Sequence, residues 1–268
     1  MIIEPKPLHH WIDTFYGYGA WSARFWFVSH EDGGGDLPEE VAEKLNYFYR
    51  LGCTDATLCD IRDLYRHASI HWDGPKADLF TNLYEYRFGS QAQLSGVWKN
   101  LIAFATGYRG EAPPDFLAYQ KNQLAAPALQ QEALIKLYPL PGANHHGWYY
   151  SWLGLPQFPF LKSRALYEQQ LYTVRIRTIL QNLSRHKPEV VLMYGMNNIN
   201  DLKKSVEEFF PDAKFNLVKA VKQQIPQHHL AELPGTTLLI TTQIPALRHN
   251  RVETGFDWLE FGKTVAGR

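Results

Sequence analysis

Four short apolar runs constrain this chain more than any other feature: FWFVS at 25–29, ALIKLYPLP at 133–141, EVVLMYG at 189–195 and TTLLITTQ at 236–243. Continuous apolar runs of this length mark strands buried on both faces, as in a parallel sheet covered by helices. Helical stretches separate them. In DLPEEVAEKLNYFYRLG, Pro38 suits a first helical turn and Glu39 and Glu40 favour the positive end of the helix dipole. Leu37, Val41, Leu45 and Phe48 form one stripe, and Gly52 is a stop. A long basic helix carries Ala165, Tyr172, Ile176, Ile179, Leu180 and Leu183 on its buried side and ends at Pro188. INDLKKSVEEFF and FDWLEFGKTVA read as further helices, and residues 213–235 stay open between a strand and a His-rich loop.

Strands alternating with helices predict an α/β fold, a three-layer α-β-α sandwich around a central, mainly parallel four-stranded sheet. One domain over 1–268 is expected, with a mainly helical insertion at about 53–130, in which LSGVWKNLIAFATGY has helical spacing. In such sheets ligands bind beyond the carboxyl ends of the strands. That rule brings four loops together, at 31–35, 141–147, 195–198 and 243–251.

Composition excludes several classes. The two cysteines, Cys53 and Cys59, allow neither a disulfide framework nor a four-thiolate metal or iron–sulfur site, and a reducing cytoplasm is expected. The opening MIIEPKPLHHWIDTF lacks a basic segment followed by an apolar one, so no secretory leader is expected, and no run approaches the length of a membrane span. The net charge is zero, which argues against a protein that coats nucleic acid. Charge is nevertheless unevenly placed. Residues 1–60 hold ten acids against four Lys/Arg, whereas 160–187 hold six Lys/Arg against Glu168 alone. A basic helix of this kind is either a solvated face or a phosphate-binding one.

The first loop, SHEDGGG, sets Glu31 and Asp32 beside Gly33, Gly34 and Gly35. Glycines let backbone N–H groups approach a ligand closely, and a helix begins just beyond. The loop is neither a Walker loop nor a spaced dinucleotide fingerprint, and the plain alternative is a turn with an acidic cap. The last loop, TTQIPALRHNR, offers Gln243, Arg248, His249, Asn250 and Arg251, donors suited to an anion. GANHHGW contributes Asn144. Its paired histidines, like those of QHHL, lack the spacing of a zinc helix, so no metal and no other cofactor is expected. No G-x-S-x-G elbow is present.

The order of these pieces resembles the uracil-DNA glycosylase superfamily, as a divergent branch. FWFVSHEDGGG is similar to the family's first motif, an apolar strand entering a glycine, an acidic or amide residue, a proline and a glycine. LIKLYPLP stands in the place of its second strand. SRALYEQQLYTVRIRTILQNLSRHKPEVVLMYG resembles its Arg-bearing helix running into the third strand. TTLLITTQIPALR falls where the family has a strand ending in His-Pro-Ser. The likeness covers four blocks and about half of the chain. Asp32 replaces the family's proline, Ser29 its first glycine and Gln243 its histidine. No asparagine stands on the second strand, and the cysteines of the iron–sulfur branches are absent.

The resemblance implies hydrolysis of an N-glycosidic bond in DNA or a related nucleic-acid or nucleotide substrate, without a membrane partner. The alternative is a non-catalytic relative that binds nucleic acid or nucleotide through the same loops. For hydrolysis, Glu31 or Asp32 would stabilise positive charge on the sugar, and Gln243 or His249 would meet the base oxygen. Arg248 and Arg251 would hold phosphates, and Tyr138 or Tyr194 would receive the extruded base.

Overall fold

The computed structural model describes residues 3–33, 37–142, 148–222, 224–246 and 255–267. Helix α1 (Pro5–Thr14) runs directly into strand β1 (Phe15–Tyr18), and β2 (Phe25–Ser29) leads into α2 (Pro38–Arg50). Strand β3 (Thr57–Cys59) opens a segment of short helices: α3 (Ile61–Arg66), α4 (Ala77–Thr81), α5 (Leu83–Phe88), α6 (Gly96–Tyr108) and α7 (Phe116–Asn122). Strand β4 (Glu132–Lys136) is followed by two 3-10 turns, Tyr149–Leu153 and Pro159–Lys162, and by the long helix α8 (Arg164–His186). The chain finishes with β5 (Val190–Tyr194), α9 (Ile199–Phe209), β6 (Asn216–Val218), β7 (His228–Leu233), β8 (Thr236–Ile240) and α10 (Trp258–Ala266).

Among the described residues the strands form one eight-stranded mixed sheet in the order β3-β1-β4-β2-β5-β8-β7-β6. The four strands expected from sequence are its centre. β4, β2, β5 and β8 are neighbours and run parallel, with Phe27 opposite both Leu134 and Leu192. The sheet is wider than the expected four strands. β1 joins antiparallel beside β4 and carries β3 with it, while β7 and β6 add antiparallel strands beyond β8. β1 escapes a sequence reading because FYGY is short and pairs irregularly. Gly17, at φ +130°, sits so close to the Leu134 carbonyl that no Cβ fits. The open stretch 213–235 contains β6 and β7, and Gly235, at φ +81°, closes the tight turn into β8.

Every residue of β2, β4 and β5 is buried, and successive side chains point to opposite faces, so both faces of the central sheet are covered. Helix α2 begins at Pro38 with Glu39 and Glu40 in its first turn, as its sequence predicts. In α8, Ser163 accepts from the Leu166 amide and Lys187 closes the helix in the left-handed region. The buried stripe of α8 includes Ile176, Ile179, Leu180 and Leu183, but Tyr167 takes the place expected for Ala165, which is exposed. Within the segment expected as an insertion, β3 belongs to the sheet. Helix α6 lies hard against α10, because a Cβ at Gly107 or Gly262 would strike a facing backbone carbonyl.

One buried cation holds the end of the second parallel strand. Arg175 of α8 donates to the carbonyls of Lys136 (2.8 Å), Leu137 (3.0 Å) and Phe15 (2.8 Å), and lies 3.4 Å from the centre of the Tyr16 ring. Beyond β4 the chain keeps beside β2 without regular strand geometry. The amides of Leu137 and Tyr138 bond to the carbonyls of Ser29 and His30 before Pro139 and Pro141 turn it away. The strand is thus five residues long rather than the nine of the apolar run. Among the described residues no helix is long and apolar enough to cross a membrane.

Candidate functional site

The chain lays down β2, places β4 on one side of it and then β5 on the other, so the connections diverge at the carboxyl end of β2. Such a divergence opens a crevice in α/β sheets. Here it holds a cavity of about 450 Å3. Its floor is made by Ser29, Lys136 and Tyr194, the last residues of three parallel strands. The turn His30–Gly33, Gly142, Gly195, Asn197 and Ile244 form its sides, and Tyr65, Lys76, Leu79, Arg87, Ser95, Val97 and Trp98 close it from the α3–α6 segment.

Three consecutive polar residues in this turn are each gripped by a different group. His30 Nε2 lies 3.0 Å from Glu168 Oε1 on α8, and its ring meets Tyr138 edge-on at 4.8 Å. Glu31 pairs with Arg164, the first residue of α8, whose guanidinium rests over the Trp148 ring. Gly142 packs against both members of that pair, and a Cβ there would displace the Arg164 guanidinium. Asp32, only 5% exposed, binds Lys136 Nζ at 3.0 Å through Oδ1 and accepts from Tyr18 at 2.7 Å through Oδ2. The Lys136 ammonium also donates to Ser29 Oγ at 3.1 Å, which in turn donates to the Glu31 carbonyl at 3.0 Å.

Burial alone would push the Asp32 carboxyl up. The ammonium groups of Lys136 and Lys44 and the Tyr18 hydroxyl outweigh it and hold the carboxyl below its ordinary value, so it is ionised at neutral pH. Burial likewise opposes the charged form of Lys136, and attraction to Asp32 wins, raising its pKa. A second buried pair, Lys44 with Glu40, stands beside the first, and Lys44 lies 5.2 Å from the Tyr65 ring centre. Burial raises the Tyr18 and Tyr65 phenols and the Cys59 thiol, which keeps all three protonated. The site therefore contains a fixed carboxylate and a fixed ammonium, with both Asp32 oxygens already bonded. Such a carboxylate serves as a stationary charge and not as a proton shuttle.

The loops after β5 and β8 are stitched together. The Gly195 amide donates to the Gln243 carbonyl at 3.0 Å and Met196 to the Thr241 carbonyl at 3.1 Å. Gly195 has φ +67°, and a Cβ there would meet Ile244. Of the residues expected from sequence, Glu31, Asp32, Gly33 and Tyr194 line the cavity. Gln243 contributes its backbone to the stitching and lies outside the lining. Tyr138 is buried behind His30, between that ring and Tyr167, and does not reach the cavity. Gly34, Gly35, Asn144, Arg248, His249, Asn250 and Arg251 lie outside the described residues.

Sequence reasoning missed Lys136, His30 and the wall from α3–α6. Lys136 was detectable, since a single charge inside an apolar strand must find a buried partner or stay out of the core. Among the described residues no group of three or more His, Cys, Asp or Glu is placed to hold a metal ion. Comparison with protein-family models, curated proteins and solved structures finds no match to this chain.

Proposed function

We propose that this cavity is the active site of a divergent uracil-DNA glycosylase-like hydrolase that cleaves an N-glycosidic bond in a nucleic-acid or nucleotide substrate. The observation that carries the reading is the meeting of the acidic turn after β2 with the ends of β4 and β5 and with Ile244 after β8, around one cavity. Cleavage of such a bond builds positive charge on the sugar and negative charge on the departing base. A buried carboxylate kept ionised by its neighbours stabilises the first, and an ammonium close to it meets the second. Asp32 and Lys136 have these states, and neither must reorganise as the charge develops. Glu31, fixed by Arg164, stands at the rim as the carboxylate that orients water. The reading is supported by four neighbouring parallel strands, β4-β2-β5-β8, within the wider mixed sheet.

The test is base release. Uracil-containing and undamaged oligonucleotides, together with nucleoside monophosphates, are incubated with the protein, and free base is measured by chromatography. Release that falls at least a hundredfold in Asp32→Asn and Glu31→Gln supports the proposal. Absence of release from every substrate, with binding retained, leaves the non-catalytic binding protein as the reading that stands.

A further inference from the structure

We propose that the cavity takes a small organic phosphate of the nucleoside monophosphate class, with its phosphate on Arg87. This inference rests on the proposed location of the site but not on any bond being broken there.

The polar side chains of the turn already have partners. Asp32 is paired with Lys136, Glu31 with Arg164 and His30 with Glu168. Arg87 differs. Its guanidinium lies 4.9 Å from the Tyr86 ring centre and 5.7 Å from that of Trp98, and no ion pair joins it to a carboxylate among the described residues. It is half-buried and faces the cavity. A guanidinium steadied on aromatic rings, with its N–H edge unclaimed by a carboxylate, offers a two-pronged fit to phosphate oxygens. Lys76 adds a second cation to the same wall.

The body of the ligand follows from the remaining lining. Leu79, Val97 and Ile244 present apolar surface. At the floor, Asp32 and Ser29 take two of the three N–H groups of Lys136, which leaves one for a ligand oxygen. A phosphate at one end, an apolar body and a hydrogen-bond acceptor at the other fit a nucleotide. The volume of about 450 Å3 lies within the range of small-molecule sites, about 300–1,000 Å3. Arg87 stands on α5, part of the segment that lines one side of the cavity. An anion on Arg87 therefore stands at the wall of the cavity, beside the space where the body of the ligand would lie. A terminal phosphomonoester suits that position better than two phosphodiesters that must continue outward.

Isothermal titration calorimetry with the common nucleoside 5′-monophosphates, the matching nucleosides and single-stranded oligonucleotides tests this. At least one monophosphate should bind tenfold or more tightly than its nucleoside and than the oligonucleotide. Arg87→Gln should erase the difference between monophosphate and nucleoside while leaving nucleoside affinity in place. Arg87→Lys, which keeps the charge and loses the fork, should give a partial loss and serves if the glutamine variant does not fold. Equal affinity for nucleoside and monophosphate, indifference to Arg87, tighter binding of the oligonucleotide, or no binding of any monophosphate would each overturn the inference. A monophosphate that binds through Arg87 without losing its base refutes the hydrolytic reading alone. Base release from a polymer without dependence on Arg87 refutes this inference alone.

Discussion

Replacing Lys136 by methionine isolates the charge pair on which the site is built. Methionine keeps the length and most of the apolar stem of lysine, so the change removes little besides the ammonium group. Asp32 is then left in the core with the Tyr18 hydroxyl and the Lys44 field as its remaining support. At the observed 3.0 Å separation, Coulomb's law gives about 1.4 kcal/mol in water and about 5.5 kcal/mol at an effective dielectric of about 20. Desolvation of both ions offsets much of that attraction. Removing one partner of a buried pair nevertheless costs about 3–5 kcal/mol, because the other charge stays behind. For a chain of this size, with roughly 2–4 °C lost per kcal/mol, the melting temperature should fall by about 6–20 °C.

The companion double variant, Asp32→Asn with Lys136→Met, removes both charges and should recover most of that loss. Urea denaturation of the wild type, both single variants and the double variant closes the thermodynamic cycle. A coupling of at least 1.5 kcal/mol is expected. Additive single changes, or a Lys136→Met loss below 1 kcal/mol, would show that these groups do not share a dry environment, and the fixed-charge account of the site would fall with them.

Two further outcomes follow from the same structure. Asp32 has a lowered pKa, so its contribution is complete above the ordinary carboxylate value of about 4 and fades as pH falls through the folded value. Lys136 has a raised one, so its contribution is complete below about 10 and fades as pH rises through the folded value. The stability difference between wild type and the double variant should accordingly be flat between these limits and change outside both, as read from urea midpoints across pH; a slope centred near pH 7 would contradict it. Gly107→Ala should destabilise by about 1–3 kcal/mol through the clash with the Leu259 carbonyl, although alanine is the better helix former; a rise in melting temperature would mean that α6 and α10 do not meet as described.

The central strands were legible because each is a continuous apolar run broken by glycine, proline or charge. Burial on both faces favours apolar residues at those positions, and a charge such as Lys136 is tolerated there only with a buried partner. β1 and β3 were not legible, since four and three residues carry too little pattern and their pairing depends on a glycine lying against a distant carbonyl. The acidic turn could be placed because it follows β2 directly, and Tyr194 because it ends β5. Lys136 leaves a signal in LIKLYP, a lone charge inside an apolar strand. Arg87 and Trp98 left none, because their approach to the strand ends is set by how α3–α6 fold back over the sheet, a tertiary event without a local periodic trace.

The cost of the buried charges bears on what they are for. If the pair Asp32–Lys136 served stability alone, well-packed apolar residues of similar volume would do as well or better. Lys44–Glu40 stands in the same position, fully buried and beside the first pair. Neither lies at the middle of the sheet, where a stray ion would be a packing fault. The first sits at the carboxyl end of β2 and β4, on the floor of the cavity, and the second supports it from α2. Arg175 then takes three backbone carbonyls to fix the chain that bears Lys136. Arg175 thereby holds in register the chain that carries Lys136, bonded to Asp32 and Ser29, to the floor of the cavity, the position from which the proposed reading has it act.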